Sequence, residues 1–147
     1  LSITDNDIDA VGGHNNGAFG VRVVNGATVI IGGGEGAWNA GTSDGNQIDD
    51  FMTGISVDGA TTLTVDNNDV TDGEFGLDVN AVTGATTIVD NLLLGDGGVR
   101  IGGTTGIEVT NSGVTLIGDA GNGNVIDGYV TGINLFNGGT TTVTEND

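Results

Sequence analysis

Along the chain, apolar side chains recur at alternate positions in short runs, each opened by a glycine. Five segments share this form: Gly20-Val21-Arg22-Val23, Gly54-Ile55-Ser56-Val57, Gly76-Leu77-Asp78-Val79, Gly98-Val99-Arg100-Ile101 and Gly132-Ile133-Asn134-Leu135. Period two is the signature of a β-strand with one buried face. It turns Val21 and Val23 inward and Arg22 outward, and likewise buries Ile55 and Val57, Leu77 and Val79, and Ile133 and Leu135. Successive glycines are 34, 22, 22 and 34 residues apart. The pattern predicts strands repeated in coils of about 22 residues, with two longer coils of about 34.

A second register supports the repeat. Residues 45–55 and 123–133 are 78 apart and match at seven of eleven positions, and Arg22 and Arg100 share that offset. Gly106-Ile107-Glu108-Val109 fits the strand template too, but Gly98 is preferred as the coil boundary because it preserves both 22 and 78. Between these strands lies a second recurring segment, as in Asp58-Gly59-Ala60-Thr61-Thr62-Leu63-Thr64-Val65 and Thr83-Gly84-Ala85-Thr86-Thr87-Ile88-Val89. A Gly turn followed by a β-branched run reads as turn and strand. Asp/Asn-rich corners follow, such as Asp66-Asn67-Asn68-Asp69 and Asp90-Asn91. Asparagines stacked at such corners can form amide ladders, as in cross-β stacks.

The two ends share a phase of the repeat. Leu1–Asp7 and Thr141–Asp147 match at Thr, Asn and Asp, and neither end reads as the polar cap that a solenoid needs over its terminal core. Residues 1–147 are therefore expected to form a single segment of a longer repetitive chain or a stacked fibre, with open strand edges at both ends.

Glycine-led strands at spacing 22 with Asn/Asp corners resemble the pectate-lyase-like parallel β-helix repeat proteins. These are right-handed solenoids found in pectin-degrading enzymes and many bacterial surface proteins. The resemblance covers nearly the whole chain and implies an all-β, right-handed parallel β-helix. It leaves function open, because one fold hosts lyases, hydrolases, tail-spikes and adhesins.

Composition narrows that choice. The chain has 30 glycines, no proline, no cysteine, two basic residues and 20 acidic ones, for a net charge of −18. Such acidity disfavours nucleic acid and anionic membranes as partners. No apolar run approaches the roughly 20 residues of a membrane-spanning helix. Acidity with Thr, Gly and Asn richness looks more like repetitive surface proteins and adhesins than like the enzymes. The expected role is a non-catalytic structural segment of an extracellular or cell-surface fibre, stalk or adhesin. Its partners would be identical subunits or adjacent repeats end to end, or glycans.

Glycoside hydrolysis needs two carboxyl groups on one side. Asp49 and Asp50 are adjacent, so a continuing strand would part them, and Asp49 recurs as Asp127. The family's Gly-His-Gly and Arg-x-Lys elements are missing, since Gly13-His14-Asn15 departs from the first and no lysine exists for the second. No cofactor is required by this reading, although calcium fits the acidic turns. Asp66, Asp69, Asp72 and Glu74 form the leading calcium candidate, followed by Asp5/Asp7/Asp9 and Asp44/Asp49/Asp50, as carboxylates supply the oxygens that calcium takes. Trp38 is a candidate interaction residue on a long loop, able to stack on a sugar or a neighbouring subunit. Thr62/Thr64 and Thr142/Thr144 suggest a threonine array of the kind that ice-binding solenoids present. Thr86-Thr87 breaks that spacing, and Val29-Ile30-Ile31 lacks it.

Overall fold

A computed structural model of the chain describes residues 1–10, 17–33, 45–95 and 105–147. These residues form an all-β structure whose strand pairings are all parallel. The strands fall on three faces around one apolar core. The first face holds residues 17–24 of β3 (Gly17–Gly32), residues 51–58 of β5 (Phe51–Asp66), β7 (Phe75–Asn80), β10 (Thr105–Thr110) and β13 (Thr131–Phe136). The second holds β1 (Ser2–Ile3), the remainders of β3 and β5, β8 (Ala85–Val89), β11 (Val114–Ile117) and β14 (Thr141–Val143). The third is a separate sheet of β2 (Asp7–Asp9), β4 (Gln47–Asp49), β6 (Asp69–Gly73), β9 (Leu92–Gly95) and β12 (Val125–Asp127).

Each strand pairs with its equivalent in the next repeat, so side chains stack in rows about 4.8 Å apart. Most of the expected inward set is buried in this way: Val21, Ile55 and Leu77 share one row with Ile107, and Val23, Val57 and Val79 the next with Val109, whereas Ile133 is only partly buried and Leu135 is exposed. From the third face, Ile48, Val70 and Leu93 complete the core. Phe51 and Tyr129 pack against it, as their repeat relationship suggests.

In the strands before the last, the opening glycine sits where a side chain would meet the neighbouring face or the next repeat. A Cβ on Gly54 would meet Val70 Cγ1 and, at 2.9 Å, the carbonyl oxygen of Gly76. On Gly106 it would meet Ile126 Cγ2 and the Gly132 oxygen. The first and third faces approach too closely there for any side chain. The corner between the first and second faces uses left-handed backbone instead, at Asn25, Gly59, Ala81, Asn111 and Asn137. Asparagine tolerates that conformation better than most residues.

One expectation is corrected. The strand that follows β7 on the first face is β10, with Ile107 paired to Leu77 and to Ile133. The recurring glycine is therefore Gly106, and the spacings from Gly20 to Gly132 become 34, 22, 30 and 26. Gly98 lies outside the described residues. The offset of 78 still relates Asn46 to Asn124 and Ile48 to Ile126, which occupy equivalent places. The row of Arg22 is continued by Ser56, Asp78, Glu108 and Asn134, and Arg100 lies outside the described residues. Two local matches to one template cannot be separated by strand pattern alone; the register decides.

Exposure differs between the two ends of the stack. Val23 is 5% exposed, whereas its last-repeat counterpart Leu135 is 40% exposed. Val143 is 47% exposed, although Ile88 and Ile117 in the same row are fully buried.

Candidate functional site

At the corner between the second and third faces, six asparagines stack as Asn6, Asn46, Asn68, Asn91, Asn124 and Asn146. Each Nδ2 donates to the Oδ1 of the next, at 2.8 to 2.9 Å. Each backbone N–H donates to that same Oδ1. Remaining Nδ2 capacity goes to carbonyls of the preceding repeat, such as Ile31 from Asn68 and Val65 from Asn91. An amide is the one side chain carrying both a donor pair and a two-lone-pair acceptor, and here both ends are used. The residue before a ladder asparagine is left-handed at Asp5, Asn67, Asp90 and Glu145. It is glycine at Gly45 and Gly123, where a Cβ would strike the backbone of Asn67 and Glu145.

Carboxylates gather across repeats rather than along the chain. On the third face, Asp9 and Asp49 are in register. With Asp50 they form the one group of three or more acidic residues, among the described residues, whose oxygens come within 4.8 Å of one another. The strand ends at Asp49 and Asp50 takes a left-handed φ of 64°, so the alternation that would part these neighbours does not apply. Asp7, Gln47, Asp69 and Thr71 join Asp9 and Asp49 around a groove of about 240 Å³. Thr71 Oγ1 donates to Asp49 Oδ1 at 2.6 Å. Burial, reinforced by the negative charge of Asp49, pushes the Asp69 carboxyl above the ordinary carboxylate range. Oxygens grouped in this way are the donor type that hard cations take.

The sequence-derived quartet of Asp66, Asp69, Asp72 and Glu74 is not gathered into such a group. Asp66 closes β5 near Asp90, and burial followed by that charge raises its pKa. Asp69 sits at the start of β6 beside Asp49, whereas Asp72 lies near its far end and Glu74 just beyond it. A strand advances about 3.3 Å per residue, so carboxylates spread along β6 separate, while those one rung apart converge. Asp44 of the third acidic group and the candidate Trp38 lie outside the described residues, as does His14.

A second carboxylate row emerges on the first face, where Asp78 pairs in register with Ser56 on one side and Glu108 on the other. Burial, then Glu108 and Asp58, raise the Asp78 pKa. Asn80 Nδ2 donates to Asp58 Oδ1 at 2.9 Å beside this row. Choosing Gly98 would have placed Arg100 next to Asp78. The signal for the correct neighbour was the Gly106-Ile107-Glu108-Val109 alternative.

The outer side of the second face is different in kind. Ser2, Ile30, Thr64, Thr87, Leu116 and Thr142 form one row in continuous register. Two positions earlier stand Thr28, Thr62, Ala85 and Val114. Neither row contains a charge; Asp66 and Asp90 lie beyond them at the asparagine corner. Thr86, which interrupts the threonine spacing in the sequence, points inward and is 1% exposed, so Thr87 is the true neighbour of Thr64. No known family model matches the chain, and no curated protein or solved structure shows significant similarity to it.

Proposed function

We propose that the chain is a segment of right-handed parallel β-helix serving as a rigid, non-catalytic structural element of an extracellular fibre, stalk or adhesin. Stiffness would come from continuous strand stacking and the asparagine ladder, and solubility from the carboxylates of the outer faces. The observation that carries this reading is the asparagine ladder, whose six residues join one repeat to the next through five side-chain amide bonds of 2.8 to 2.9 Å. Partners would be identical subunits or adjacent repeats end to end, which offer the same strand edges and the same ladder.

Negative-stain electron microscopy of the natural assembly, with and without a calcium chelator, tests the proposal. Long thin fibres with an axial period of several coils are the expected result, and fraying on chelation would assign a bridging role to the carboxylates. Isolated monodisperse particles under both conditions overturn the fibre reading, and polysaccharide binding and cleavage assays then address the rival carbohydrate-active role.

A further inference from the structure

Two outer rows of the second face are free of charge on a chain of net charge −18, with Asp66 in the column that follows Thr64. The two rows hold threonine, isoleucine, leucine, valine, serine and alanine alone. Ile30 is 39% and Val114 58% exposed, so the rows are reachable from solvent. Strand pairing spaces each row at about 4.8 Å, and two residues along a parallel strand separate the rows by about 6.6 Å. The pairings across this face show no register shift, in contrast to the bulge between β6 and β9 on the third face. A periodic, charge-free grid of methyl and hydroxyl groups results.

From this geometry we infer that the second face binds the surface of an ice crystal. Ice is electrically neutral and periodic in two dimensions, and it offers both hydrogen-bond donors and acceptors. Liquid water solvates a charged side chain better than the rigid lattice does, so rows free of charge favour contact with ice. β-Branched threonine, isoleucine and valine have few χ1 rotamers, which fixes methyl and hydroxyl positions before binding and lowers the entropy cost.

Other occupants fit less well. The face measures about 300 Å² from the strand spacing, against about 800 Å² per partner in a specific protein interface. A crystalline polysaccharide calls for aromatic stacking platforms, and these rows contain no aromatic side chain.

The test uses the 147-residue chain and its variants Thr64→Lys and Thr87→Lys, with Asn134→Lys as a charge-matched control on the first face. Thermal hysteresis and ice-crystal shaping are measured, with circular dichroism to verify folding. Ice faceting by the parent chain and the control, lost in both face variants at unchanged dichroism, is the expected result. Absence of hysteresis and shaping in the parent chain overturns the inference, as does full activity in either folded face variant. A reversible dimer abolished by Thr87→Lys without any effect on ice would assign the face to a second copy and overturn it equally. None of these outcomes depends on whether the chain forms fibres.

Discussion

Asn68 donates its side-chain amide to Asn91 Oδ1 at 2.9 Å, and its own Oδ1 receives the amide of Asn46 at 2.8 Å. Both groups are buried, so each asparagine is the partner that makes its neighbours' burial tolerable. Ladder residues therefore differ in importance by position. Asn68→Ala strands the Asn46 amide and the Ile31 carbonyl and is expected to cost about 3 kcal/mol. Asn6→Ala, at the exposed start of the ladder, is expected to cost about 1 kcal/mol. Urea unfolding midpoints of the two variants check the difference, and equal losses would show that the ladder does not act through burial.

The glycine column gives a paired prediction. Gly54→Ala must displace Val70 or the Gly76 backbone and is expected to destabilise by about 2 kcal/mol. Gly132→Ala meets nothing within 4 Å and is expected to change stability by no more than about 0.5 kcal/mol. Denaturant titration of both variants decides whether close approach of the faces, rather than backbone freedom, explains the recurring glycine.

Stability is expected to rise on mild acidification, the reverse of the usual acid sensitivity. Burial raises the pKa of Asp66, Asp69, Asp78 and Asp90, with negative neighbours adding to the first three. In the folded chain these groups hold their protons at higher pH than in the unfolded chain, where the value is about 4. Their contribution to stability is complete below the unfolded value and is lost as pH rises through the raised folded values. Relief of general self-repulsion acts in the same direction. Melting temperatures recorded from pH 7 down towards 4.5 should climb, and a fall across that range would contradict the assignment.

Asp78 allows the cross-repeat electrostatics to be isolated. Replacing it by asparagine keeps the shape and removes a charge flanked by Glu108 and Asp58. Like charges paired across strands destabilise modestly. Because the site is only half-buried, solvent screening limits the expected gain for Asp78→Asn to about 0.5 kcal/mol at pH 7. That gain should shrink as the pH falls through the raised pKa of the native carboxyl. Thermal melts recorded from pH 7 downward read it directly.

Burial of Leu77 between Ile55 and Ile107 supplies a reference for the core. Leu77→Ala is expected to cost about 3 kcal/mol, since neighbours stacked by a continuous strand ladder collapse little into the cavity. A loss below 1 kcal/mol, measured by urea unfolding, would mean that the rows are packed more loosely than their exposure indicates.

The sequence by itself determined which side chains turn inward, because alternation along a strand is a local consequence of the pleat. Val57, Leu77 and Val79 needed no partner to be assigned to the core. Local chemistry also marked the asparagine corners, since few other residues satisfy a buried turn on both sides. Only the tertiary structure decided which residues become neighbours from one repeat to the next. Gly98 and Gly106 carry the same strand template, and closure entropy changes too slowly with loop length to choose between coils of 22 and 30. Register made that choice, and with it Glu108 stands beside Asp78, Asp9 joins Asp49, and Thr87 rather than Thr86 extends the threonine row. Inward or outward is fixed within a few residues of chain, whereas contact across repeats depends on every loop between them.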